Sequence, residues 1–126
     1  MYAGGPVEPV AELLAADIVW HVPGSSPIAG EYRGREAVLD YFTTRRRLAG
    51  GAMKITKHAE LAGTDVLVQL ADGSVTSNGE EIAWRTAGVY RVAGGRIAEA
   101  WLVPLEAAAF DEAWMRIAAS GAQGAT

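Results

Sequence analysis

A mixed α+β domain, with an antiparallel sheet covered by helices on one face, is the fold class this sequence predicts. Three observations carry that prediction. Apolar residues recur at helical spacing in three separated segments, four consecutive β-branched and aromatic runs follow the second segment, and the breaks between those runs suit hairpins. A chain of 126 residues has room for one such core, because a domain organises roughly 100–200 residues. One domain over 1–126 is expected, with its ordered part at about 6–119.

Taken in order, Pro6 suits a first helical turn, and Val7, Val10, Leu13 and Leu14 recur at three and four, which predicts a short helix over 6–16. Ile18-Val19-Trp20-His21-Val22 reads as a strand stopped by Pro23-Gly24. A loop follows, with a short extended piece at Gly30–Gly34. Val38, Tyr41, Phe42, Arg45 and Leu48 then predict a second helix over 35–48, ended by Gly50-Gly51. Its last turns hold Arg45, Arg46 and Arg47, which are read as complementing the negative end of the helix dipole, with an anion site as the alternative on which no function is built. Met53–Ala62, Val66–Val75, Ile82–Val92 and Arg96–Val103 are four strands of a meander. Ala107, Phe110, Trp114 and Ile117 predict a closing helix at about 105–119, with a flexible tail from Gly121.

Composition narrows the function. Eleven basic against fifteen acidic residues give a net charge of −4, so no global positive field exists to gather nucleic acid or anionic lipid. No apolar run approaches the roughly 18 residues of a membrane span. Without cysteine there is no disulfide, thiolate nucleophile or zinc finger. The opening residues lack the basic and apolar regions of a signal peptide, which makes the cytoplasm the expected address. His21 and His58 stand in different segments without ligand spacing, so no metal is expected, and no phosphate-binding glycine motif or nucleophile elbow occurs.

What remains is cofactor-free chemistry in an apolar cavity between sheet and helices. His21, inside an apolar strand, is the candidate acid or base; the alternative is a core histidine bonded to backbone. Glu99 alternates with Ile97, Trp101 and Val103, and an inward bulky face would put its carboxylate among aromatics, where desolvation raises a carboxyl pKa. An outward face would leave it solvated or paired. Trp84, Thr86, Gly88 and Tyr90 share one face of the preceding strand, and Tyr32 and Tyr41 offer hydroxyls, although core packing also explains these aromatics.

The chain resembles the nuclear-transport-factor-2-like superfamily, and within it the SnoaL-like group related to polyketide cyclases and ketosteroid isomerase. Three stretches carry the likeness: Ala16-Asp17-Ile18-Val19-Trp20-His21-Val22-Pro23-Gly24, then Ile28–Val38, and Val89–Trp101 with its Gly94-Gly95 turn. The closing Ala109-Phe110-Asp111-Glu112-Ala113-Trp114 is similar to the final helix of that group. The resemblance implies a cone of curved antiparallel sheet around helices, a cystatin-like α+β barrel with an apolar cavity, and frequently a homodimer. It also implies a longer opening helix, so a shortened N-terminal helix is expected here.

Carried over by position, the isomerase pattern fails: its general base falls at Val22 and its acidic oxyanion partner near Gly88. The cyclase pair of Glu and Trp two apart matches Glu99 and Trp101, but the following Asp corresponds to Leu105, beside Glu106. Two functions follow as expectations. The first is a cofactor-independent acid–base enzyme acting on a polyketide- or steroid-like molecule. His21 and Glu99 are its catalytic groups, and Trp20, Val22, Tyr32, Tyr41, Trp84, Gly88, Tyr90 and Trp101 contact the substrate. The second is a non-catalytic module of the same fold that binds an apolar small molecule or a second copy of the chain.

Overall fold

The computed structural model describes residues 11–50, 53–77 and 79–124. Six strands and two helices follow one another as β1 (Leu14–Val22), β2 (Gly30–Arg33), α1 (Arg35–Leu48), β3 (Met53–Ala62), β4 (Val66–Ser77), β5 (Glu80–Ala93), β6 (Arg96–Pro104) and α2 (Ala107–Gly124). The strands form one curved sheet in the order β2-β1-β6-β5-β4-β3, so it has two free edges and is not a closed barrel. All neighbours are antiparallel except β1 and β6, which run parallel.

The element order and the α+β class agree with the sequence. The second helix and the third strand fall where periodicity predicts, and the hairpins close at the predicted breaks. At β5–β6 the turn uses Gly94 and Gly95, with φ of 60° and 77°, the left-handed pair a two-residue hairpin requires. Two boundaries are corrected. Residues 6–10 of the expected first helix lie outside the described residues, but Leu14–Ala16, its last part, are strand. Ile97 N–H donates to Leu13 O at 2.7 Å, and Arg35 donates twice to Leu14 O, at 3.1 and 2.9 Å. Those carbonyls therefore pair with β6 and α1, which overrides a helical spacing only two turns long. At the other end α2 continues through Gly121 to Gly124 rather than yielding to a tail.

Both helices lie on one face of the sheet. Val38, Tyr41 and Phe42 of α1 and Phe110, Ala113, Trp114 and Ile117 of α2 are buried against Ile18, Trp20 and Val22 of β1, Ile82, Trp84 and Tyr90 of β5, and Ile97 and Ala100 of β6. Two contacts fix how α2 closes over the sheet. Asp111 accepts the Ser25 N–H at 3.2–3.3 Å, tying the β1–β2 loop to α2, and Arg116 pairs with Glu80 at the start of β5. From β2, Tyr32 donates its hydroxyl to Ile28 O of that loop at 2.6 Å.

Candidate functional site

Between sheet and helices lies a cavity of about 70 Å³, which is built from the strand faces inward. Strict alternation on β5 places Ile82, Trp84, Thr86, Gly88 and Tyr90 on the buried side. Two glycines make the aromatics fit: a Cβ at Gly73 would overlap the Trp84 indole, and one at Gly88 would meet the Tyr90 hydroxyl at 2.5 Å. From β1 comes Trp20, edge-on to Phe42 at 5.0 Å and to Tyr90 at 5.8 Å. Trp114 reaches down from α2 to lie 5.0 Å from Trp84. Tyr41 and Arg45, one turn apart on α1, complete the wall with Phe110 and Gln69.

The wall is mainly apolar, and Gln69, Thr86, Tyr41 and Tyr90 contribute polar groups that can accept as well as donate. Trp20 Nε1, Trp114 Nε1 and Arg45 Nε are buried and find no hydrogen-bond partner among the described residues. The Arg45 guanidinium lies over the rings of Tyr41 and Phe42, at 5.2 and 5.3 Å, and Nη1 donates to the Tyr41 hydroxyl at 3.4 Å. No carboxylate and no histidine lines the cavity. Tyr32 packs on Tyr41, with ring centroids 4.6 Å apart, outside this wall. Its burial, and secondarily the neighbouring Tyr41, pushes its hydroxyl pKa up.

His21 and Glu99 meet, but on the other side of the sheet. His21 Nε2 is 2.7 Å from Glu99 Oε2, Nδ1 is 3.4 Å from Glu31 Oε1, and Arg91 Nη2 is 3.6 Å from Glu99 Oε1. The His21 ring stacks on Trp101 at 5.6 Å with 12° between planes. The expectation that Glu99 shares an inward face with Ile97 is corrected by a bulge. Arg91 pairs with Glu99 while Val92 pairs with Ile97, so Ala98 is an extra residue and the alternation changes phase there. Ile97 and Ala100 are both buried, whereas Glu99, Trp101 and Val103 face away from the helices. On β1 the same side carries His21, between buried Trp20 and Val22. His21 and Glu31, but not Glu99, border an open groove of about 520 Å³ that is also walled by Val22, Trp101 and Val103.

Of the residues proposed from sequence, Trp20, Tyr41, Trp84, Gly88 and Tyr90 stand together at the inner cavity, and His21, Val22 and Trp101 at the outer groove. Trp114, Phe110 and Gln69 line the cavity without having been proposed as site residues, and so does Arg45, which the sequence assigned to the helix dipole. The helical spacing of Arg45 with Tyr41 and Phe42 was the available signal, since it puts the guanidinium on the helix face that is buried. Among the described residues no three His, Asp or Glu side chains are placed so that they could hold a metal ion, and no helix is long and apolar enough to cross a membrane.

Known structures share this architecture. Bal32a, from a soil-derived mobile gene cassette, is 26% identical with a TM-score of 0.79, over 86% of this chain and 83% of that one. A protein of unknown function with a cystatin-like fold from Xanthomonas campestris is 22% identical, TM-score 0.74, covering 83% and 82%. TerC, co-crystallised with polyporic acid, is 18% identical, TM-score 0.73, covering 87% and 85%. No curated protein matches significantly. The model of the SnoaL-like domain matches residues 1–100, so with its helix-backed curved sheet this chain belongs to the SnoaL-like domain family.

Proposed function

We propose that this domain binds a small, largely apolar molecule in the cavity between its sheet and helices. The observation that carries this reading is the cavity wall itself: aromatic residues from β1, β5, α1 and α2 converge on a gap of about 70 Å³ that the sequence keeps open with Gly88. An engineered cavity of about 150 Å³ takes benzene. A polyketide- or steroid-sized ligand therefore enters only with movement of the walls, and a smaller molecule is the better fit. The test is ligand titration followed by tryptophan fluorescence, in the natural protein and in Gly88→Ala. A methyl group at 88 must displace the Tyr90 hydroxyl, so binding weakens by about threefold or more. Equal affinity in the variant would place the ligand elsewhere.

A second reading, acid–base catalysis by His21 and Glu99, is favoured by one asymmetry. Glu99 holds Nε2 at 2.7 Å, whereas the more exposed Glu31 lies 3.4 Å from Nδ1, beside the open groove. Glu99 then orients the ring, and Nδ1 takes or gives the proton at the groove once a substrate displaces Glu31. In this reading His21→Ala abolishes turnover and leaves binding intact. Unchanged turnover removes the role.

The outer face also suits a second copy of the chain. Val68, Val89 and Trp101 lie in register across β4, β5 and β6, and Leu70, Ala87 and Val103 form the next row. Leu70 and Val103 are exposed large apolar residues on this face. A homodimer covering these rows predicts that Val103→Glu shifts the protein to monomer in sedimentation. A monomeric natural protein refutes it.

A further inference from the structure

The unpartnered polar atoms at the cavity are all donors. An indole N–H can only donate, and a guanidinium donates and stays charged. Trp20 and Trp114 are 4% and 1% exposed, so neither indole nitrogen can turn to solvent. Arg45 has no carboxylate partner among the described residues; its charge rests on two aromatic faces and one tyrosine hydroxyl. It also belongs to a run of three arginines in a chain whose net charge is −4. Among the described residues that line the cavity there is no acidic side chain to compete for Arg45.

We infer that the cavity binds a compact organic monoanion through its carboxylate, with Arg45 supplying the charge and the indole N–H groups of Trp20 and Trp114 supplying the directional bonds. This rests on the cavity being the ligand site and names what enters it. A purely apolar guest would leave all three donors unmatched. A neutral carbonyl would accept from an indole or from the guanidinium without balancing its charge, and a cation would face Arg45 directly. A carboxylate has two oxygens and about four lone-pair directions, enough for all three donors. Arg45 is the partly exposed member and Trp114 the deepest, so the charged head enters past Arg45 and sits among the rings.

The four tryptophans make this directly testable, because a nitrogen-15-labelled sample gives one indole resonance for each. Acetate, propionate and benzoate are titrated near neutral pH beside acetamide, propionamide and benzamide, with assignments from single Trp→Phe variants. At least one carboxylate moves the Trp20 and Trp114 resonances saturably, its amide binds about tenfold or more weakly, and Trp101 on the outer face stays still. Arg45→Gln brings the carboxylate down to the affinity of its amide, and Arg45→Lys recovers part of the difference. Trp114→Phe, which deletes one donor from the deepest ring, weakens the carboxylate more than the amide and serves as the second variant should Arg45→Gln misfold. An amide that binds as tightly as its carboxylate, or a carboxylate indifferent to both variants, overturns the anion assignment while leaving the cavity reading intact. If no probe of either charge moves Trp20 or Trp114, both fall.

Discussion

The closest approach in the inner wall is between Gly73 of β4 and Trp84, its partner on β5, and it makes the sharpest stability prediction. An added Cβ at 73 would overlap the Cε2, Cζ2 and Nε1 atoms of the indole. The ring is hemmed in by Trp114, 5.0 Å away and itself 1% exposed, so it gives way only toward the cavity it lines. Gly73→Ala therefore overpacks a rigid aromatic pair, a change that costs about 1–3 kcal/mol. Opposing it, alanine lowers the entropy of the unfolded chain and returns about 0.4–1 kcal/mol. A net loss of up to about 2.6 kcal/mol follows, centred near about 1.3 kcal/mol. With an unfolding entropy of about 2.1 cal/mol/K per residue, the 126-residue chain melts about 5 °C lower at the centre of that range. Thermal and urea unfolding followed by far-ultraviolet circular dichroism measure this. Gly63→Ala is the control, since its Cβ meets only Val66 O at an ordinary 3.6 Å, and it melts at or above the natural protein. Most of the Gly73→Ala penalty disappears in a Trp84→Leu background, where the obstructing ring atoms are gone. A Gly73→Ala protein as stable as the natural one would refute the claim that this glycine exists to seat the indole.

Two further predictions concern titration. Burial, and then Tyr41, raises the Tyr32 hydroxyl pKa above its ordinary 10.0; a raised value contributes stability that is complete below pH 10.0 and lost as pH climbs through the folded-state value. Tyr32→Phe removes that alkaline loss and costs about 1 kcal/mol at neutral pH by orphaning the Ile28 carbonyl; unfolding measured across the alkaline range checks both, and an unchanged slope contradicts them. On the outer face, the hydrogen bond from His58 at 2.7 Å, helped by the His58 and Arg85 charges, holds the Asp72 carboxyl below its ordinary 3.8. That contribution is present above pH 3.8 and lost as pH falls through the lowered value. In His58→Ala the carboxyl resonance of Asp72 titrates at a higher pH, and a midpoint that does not move rules out His58 as the main cause.

Much of the fold was legible because its local signals agree with one another. The run Met53–Ala62 carries strand residues between two breaks, and Arg35–Leu48 is a helical pattern opened and closed by glycines, so period and punctuation point the same way. Leu14 was not legible. Its spacing from Val10 suits a helix, and only β6, eighty residues later, claims it for the sheet through Ile97. Nor does a meander reveal that its last strand returns beside the first and in parallel. That pairing buries Leu14 and Ala100 completely, a tertiary fact with no local mark.

The site divides along the same line. β5 has unbroken alternation over the core, so Trp84, Thr86, Gly88 and Tyr90 could be placed on one face from their numbers alone. On β6 the same reasoning was sound up to one residue: the bulge at Ala98 reverses the parity of everything beyond it, which carries Glu99 and Trp101 to the outer surface. Because β1 runs parallel beside that bulged strand with His21 opposite Trp101, the histidine and the carboxylate still meet. Their meeting does not depend on the cavity, and the cavity's donors do not depend on them. Replacing His21 therefore leaves a ligand at Trp20 and Trp114 undisturbed, and replacing Arg45 leaves the His21–Glu99 contact in place. If either change is felt across the sheet, Trp20 and His21, adjacent on one strand and facing opposite ways, are the residues through which it passes.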